Sequence, residues 1–181
     1  MPQLNKGGKF VFGLSVIGNH NEIQIPEQAI IEYSITKDDK IIIFTGAKAT
    51  GGFCVTSHAL LSSSKLKHIL DDCPALAGYE LQEGSFIWYK GRGYSWLTIS
   101  PSGVIRLPEQ TMEYLNLSAG DALMSIRSSD IAFTMGAKGP LMEKVHSYKG
   151  TIPEYRIVNH IKTRRYNEHG RTIPETQSHK K

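Results

Sequence analysis

Apolar residues fall in short runs broken by polar turns, the pattern of a chain built from brief strands and a few short helices. Residues 10–17 and 94–99 are β-prone and run into the turns Gly18-Asn19-His20-Asn21 and Ser100-Pro101-Ser102-Gly103. Next come Ile23-Gln24-Ile25 and Val104-Ile105-Arg106-Leu107, each followed by a proline that pushes its predecessor toward extended geometry. Pro26 and Pro108 suit the first position of a helix, where a missing N–H costs nothing. Glu27 and Glu109 then meet the positive end of the helix dipole. Short helices are predicted over 27–34 and 109–116, ending in the turns Thr36-Lys37-Asp38-Asp39 and Ser118-Ala119-Gly120-Asp121. A hairpin should follow each. One is Lys40–Thr45 returning through Gly51 and Gly52 into Phe53–Thr56, and the other is Ala122–Arg127 returning through Ser128-Ser129-Asp130 into 131–135.

These two sets of elements are one pattern written twice. Residues 21–41 lie over 103–123 at a fixed offset of 82, with Ile23, Pro26, Glu27, Gln28 and Asp39 identical to Ile105, Pro108, Glu109, Gln110 and Asp121. Ile25/Leu107, Ile30/Met112, Ile35/Leu117, Thr36/Ser118 and Ile41/Leu123 agree in character. A contiguous Pro-Glu-Gln with flanking apolar positions in register marks an internal repeat. Between the copies, Ser57 suits a helix cap, and Leu60, Leu61, Leu66, Ile69 and Leu70 form one stripe, predicting a helix to about Asp72 that Pro74 stops. The chain therefore divides into a first repeat at 10–56, a helical insert and linker at 57–85, a second repeat at 86–135 and a basic extension at 136–181. Within the extension 157–165 forms at best a weak helix, and 172–181 reads as disordered.

The order strand, turn, Gly103-Val104-Ile105-Arg106-Leu107-Pro108, short helix, Leu117-Ser118-Ala119-Gly120-Asp121, hairpin resembles the AbrB/MazE/SpoVT swapped-hairpin family. The second copy is the closer match. The first has Asn21 where the family usually has glycine and Asp38 where it often does. The resemblance implies a mainly β fold with some helix: a swapped-hairpin barrel of two β-β-α-β-β repeats that interlock within one chain, as in MraZ-like members. It also implies a cytoplasmic, non-enzymatic DNA-binding regulator of transcription. Family members that bind DNA use basic residues on the first strand, after the turn glycine and as a pair in the short helix. The matching positions here are Ser15 and Leu97, Glu22 and Val104, then Ile30-Ile31 and Met112-Glu113, and none is basic.

Charge moves the DNA question elsewhere. The 181 residues carry a net +4, but residues 144–181 hold nine Lys/Arg against three Asp/Glu, leaving the rest of the chain at −2. The expected contacts to double-stranded DNA are Lys90, Arg92, Arg106 and Arg127 on the body, with Lys162, Arg164, Arg165 and Arg171 reaching phosphates from the tail. Lys90 and Arg92 sit among the aromatics of residues 86–96. That stretch suits base stacking, but it reads better as a plain hairpin with Lys90-Gly91-Arg92-Gly93 as its exposed turn. The alternative function is a protein-interaction or small-ligand-binding module that kept the barrel without the DNA face, with a homodimer or a protein as possible partner.

Other chemistry is not called for by the residues. No apolar run approaches the ~18 residues of a membrane span, and the first nine residues lack the apolar segment of a secretory signal. Cys54 and Cys73 form no CxxC, and the seven histidines stand at no metal-ligand spacing, so no metal or cofactor is expected. The two cysteines are expected to be reduced. Residues 46–52, glycine-rich but lacking Gly-Lys-Ser/Thr and lying between two strands, read as a hairpin turn and not a phosphate loop.

Overall fold

The computed structural model describes residues 9–145 and 147–157. The first repeat forms β1 (Val11–Val16), β2 (Glu22–Gln24), α1 (Glu27–Tyr33), β3 (Lys40–Thr45) and β4 (Phe53–Thr56). The insert forms α2 (His58–Ser62), α3 (His68–Asp72) and α4 (Pro74–Ala77), followed by β5 (Ile87–Tyr89). The second repeat forms β6 (Arg92–Thr98), β7 (Val104–Arg106), α5 (Glu109–Leu115), β8 (Ala122–Arg127) and β9 (Phe133–Gly136). After it come α6 (Pro140–Val145) and β10 (Glu154–Tyr155). The bounds of β2 and β7, of α1 and α5, and of β3 and β8 differ by 82 residues at both ends.

The protein is mainly β, with one mixed eight-stranded sheet in the order β10-β1-β8-β9-β4-β3-β6-β5 and a separate ribbon of β2 and β7. The six inner strands read the same from both sides. The first strand of each repeat pairs with the third strand of the other, β1 with β8 and β6 with β3, while β4 pairs with β9 at the centre. The ribbon repeats the exchange, since β2 pairs with β7, Ile23 opposite Ile105. Every inter-repeat strand pair is antiparallel, and each copy adds its first strand to the hairpin that the other forms, β3–β4 or β8–β9.

The sheet buries both faces, because strand side chains alternate. Ile41, Ile43, Phe53, Leu97, Leu123 and Phe133 point inward to one core shared with α1, α5 and the ribbon. On the outer face Ile42, Phe44, Cys54 and Tyr94 pack under the insert. Val11, Met124 and Ile126, also facing outward, pack with Leu141, Met142 and Val145 of α6 and with Ile152. β10 runs parallel to β1 and fits only because residue 13 is glycine: a Cβ there would lie 2.8 Å from the Pro153 carbonyl oxygen.

Several local expectations change. Pro26 and Pro108 precede their helices as extended N-cap residues (ψ 133° and 156°), one position earlier than expected, since the strand geometry of the ribbon carries through them. Both helices then end on a left-handed residue, Ser34 and Asn116. Asn21 takes the same left-handed turn as Gly103 (φ 60° and 80°), which asparagine tolerates better than other residues with a side chain. The insert is not one helix. The Ser62, Ser63 and Ser64 hydroxyls bond back to the carbonyls of Ala59, Leu60 and Leu61, competing with the helical ladder and breaking it before α3. Pro74 opens α4 as well as closing what precedes it. Residues 46–52 do form the turn between β3 and β4, with the Gly46 N–H donating to the Gly52 carbonyl at 3.1 Å. Cys54 and Cys73 are buried free thiols. Among the described residues no helix is long and apolar enough to cross a membrane. The weak helix expected at 157–165 lies, apart from Ile157, outside the described residues.

Candidate functional site

A cleft of about 600 Å³ opens on the outer face of the sheet. Its floor is Phe44, Cys54, Tyr94, Ile126 and Thr134, from β3, β4, β6, β8 and β9. It therefore straddles the β4–β9 pair at the centre of the strand order, where Cys54 stands opposite Thr134. One wall is built by the insert and β5, through Leu66, His68 and Tyr89. The other comes from the β8–β9 turn and α6, through Ser129, Ile131, Ala132 and Leu141. The floor draws on strands of both repeats, and the insert and α6 contribute to the walls.

The insert wall is a cluster of rings and cations. Lys90 and Gly91 form the two-residue turn of the β5–β6 hairpin, both with positive φ (43° and 84°), the backbone of a type I′ turn. That turn holds the Lys90 ammonium 5.1 Å from the Tyr89 ring centre, and His68 lies 5.8 Å from the same ring. The Arg92 guanidinium sits 5.4 Å over Phe44, which stacks on Tyr94 at 5.4 Å. Lys9, Lys90, Arg92 and His68 all line the cleft, and among the described residues no carboxylate does. Just outside, Asp72 accepts a hydrogen bond from the Tyr89 hydroxyl, which raises that tyrosine's pKa.

The few polar atoms of the floor bond among themselves. Cys54 Sγ and Thr134 Oγ1 are 3.4 Å apart, and Thr134 Oγ1 meets Ser128 Oγ at 2.5 Å. Burial pushes the Cys54 thiol pKa up, against the pull of Thr134 and Arg92, so it stays protonated and is a poor nucleophile. Among the described residues no group of His, Cys, Asp and Glu is placed to hold a metal ion.

The structure separates the sequence-predicted site residues. Lys90 and Arg92 meet at the cleft. Arg106 lies at the end of β7, its Nε donating to the His20 carbonyl at 3.1 Å. Arg127 is engaged by a bidentate pair with Glu32 of α1 (2.6 and 2.5 Å), and its guanidinium covers Phe10 at 4.7 Å. Because β-strand side chains alternate, Arg127 points away from the cleft that its neighbour Ile126 lines. Lys162, Arg164, Arg165 and Arg171 lie outside the described residues. The positions that match the family's basic contacts fare worse. Ser15 and Leu97 are fully buried, and Met112 is nearly so. The exposed surface of the two helices carries Glu27, Glu32, Glu109 and Glu113, a negative face toward any phosphate.

Sequence reasoning missed Lys9, His68 and Cys54 as site residues. His68 stood only among seven histidines without metal-ligand spacing, and nothing in its sequence neighbours revealed the hairpin that packs against it. Alternation in β4, which turns Cys54 outward between two inward-facing apolar residues, was the one available signal. Compared with known proteins, the chain matches no family model, and no curated sequence is significantly similar to it.

Proposed function

We propose that this protein is a non-catalytic small-ligand-binding module on a swapped-hairpin scaffold of AbrB type, its two repeats closing into one barrel within a single chain. The exchange of first and third strands between repeats, and the six-strand order that reads alike from both ends, support the scaffold. The observation that carries the function is the cleft over the β4–β9 pair: a concave, ring-lined site of about 600 Å³, within the size range of small-molecule pockets. Two buried free thiols accord with a cytoplasmic setting.

The test uses N-phenyl-1-naphthylamine, a neutral aromatic probe that brightens on leaving water. Saturable binding to the full chain, lost in Ser128→Trp, whose indole would fill the cleft beside Thr134, supports the reading. An absence of saturable binding, or binding untouched by Ser128→Trp, overturns it.

A second reading, a regulator that binds double-stranded DNA, is favoured by one observation: the +6 of residues 144–181 against −2 for the rest. With acidic helices where the family has basic ones, affinity would depend on the tail. Replacing Lys162, Arg164, Arg165 and Arg171 with glutamine should then flatten the salt dependence of duplex binding, by about 0.9 in log–log slope per lost contact. Full-length protein with no salt-sensitive duplex binding at low ionic strength removes this reading.

A further inference from the structure

We infer that the cleft is selective for a planar aromatic anion: a ring system carrying a carboxylate, sulfonate or phosphate. This rests on the ligand-binding reading above and adds the ligand's class. Three features carry it. First, the cleft's charge is of one sign, with Lys9, Lys90 and Arg92 in the lining and, among the described residues, no Asp or Glu. Neither Lys90 nor Arg92 forms an ion pair with a carboxylate among the described residues, whereas Arg127 is held by Glu32. Arg92 donates one long hydrogen bond, 3.5 Å, to the Thr45 carbonyl, leaving its fork of donors underused for a bidentate acceptor.

Second, the cations stand over rings. Lys90 lies against Tyr89 and Arg92 against Phe44, in the cluster that includes His68 and Tyr94. A flat ligand ring would extend such a stack, and its anionic group would reach the ammonium and guanidinium without leaving it. Third, the opposite side is largely apolar, with Ile131, Ala132 and Leu141 beside Ser128 and Ser129 and Ile126 on the adjoining floor. A free inorganic anion would leave that side wet, and a neutral hydrocarbon would leave the Arg92 guanidinium without an acidic partner. An aromatic anion satisfies both sides.

Two probes separate this inference from the reading beneath it. 8-Anilinonaphthalene-1-sulfonate and N-phenyl-1-naphthylamine share one aromatic frame and differ in the sulfonate. Titrated into the full chain, the sulfonate probe should bind about tenfold tighter or more, as expected for charge-assisted contacts. Arg92→Gln and Lys90→Gln should each loosen the sulfonate probe several-fold and the neutral one by less, so that the preference for the sulfonate narrows. Arg92→Lys, which keeps the charge, should retain most of the affinity, and Ser128→Trp should abolish both signals. Near-UV circular dichroism on each variant confirms that the fold is kept. Equal affinity for the two probes, or sulfonate binding indifferent to both glutamine variants, overturns the anion assignment while the cleft stands. Loss of neither signal in Ser128→Trp overturns the cleft and the inference together.

Discussion

Tyr33 ties the first repeat to the second, and its hydroxyl makes that tie depend on pH. The ring is buried between Phe12 and Phe133, with centroids 6.2 and 5.1 Å away, and the hydroxyl donates to the Ser129 carbonyl at 2.7 Å. Ser129 is also part of the cleft wall. Burial, with a smaller push from Glu32 and a counter-pull from Arg127, raises the Tyr33 pKa from 10 to about 12. Below pH 10 the phenol is protonated in folded and unfolded chains alike, and its contribution is complete. Between about pH 10 and 12 the unfolded chain loses the proton first, so folding stability falls with rising pH through this window. A full two-unit shift corresponds to roughly 2.7 kcal/mol. Solvent screening of Glu32 and Arg127 lowers this to on the order of 2 kcal/mol. Tyr33→Phe removes both the hydrogen bond and the titration. Urea unfolding near pH 8 should find the variant less stable by about 1 kcal/mol, the net worth of one hydrogen bond. Near pH 11 the wild type has lost roughly 1.4 kcal/mol from this residue, and the order of stabilities should converge or invert. Parallel stability–pH curves for the two proteins would refute the reasoning, because they would mean that the folded and unfolded phenols titrate together.

Gly52 and Gly91 both adopt positive φ (61° and 84°), but a Cβ at Gly52 would lie 2.0 Å from the Met135 carbonyl oxygen and one at Gly91 meets nothing within 4 Å. Gly91→Ala should cost about 1 kcal/mol in chemical denaturation and Gly52→Ala roughly 3 kcal/mol or more; equal losses would show that β4 and β9 approach less closely than described. Arg127→Ala should lower the melting temperature, since Arg127 is held by Glu32 and Phe10, yet leave the salt dependence of any duplex binding unchanged. A flatter salt slope in that variant would return Arg127 to the list of DNA contacts.

The local elements were legible because their causes are local. A β-branched run marks β3 and a short apolar run bounded by turn residues marks β8, both to the residue, and Pro26 and Pro108 mark where strand yields to helix. Asn21, an apparent departure from the repeat, keeps its place because asparagine tolerates the left-handed backbone that Gly103 takes there. The repeat itself was visible at its 82-residue offset. What the pattern of hydrophobicity left open is which strand completes which sheet: β1 beside β8 and β1 beside β3 bury similar apolar faces, and the choice depends on how both repeats close one core together. The same holds for the cleft. Lys90 and Arg92 were adjacent in the chain, but His68, Cys54 and the wall from the β8–β9 turn reach them only when the insert and α6 cover opposite ends of the sheet's outer face. Arg127 shows the converse, a residue whose charge looked available until α1 brought Glu32 within 2.5 Å of it. Backbone preference is set by a residue and its neighbours in sequence, whereas charge, solvation and cavity shape are set by neighbours in space, and these the folded chain alone supplies.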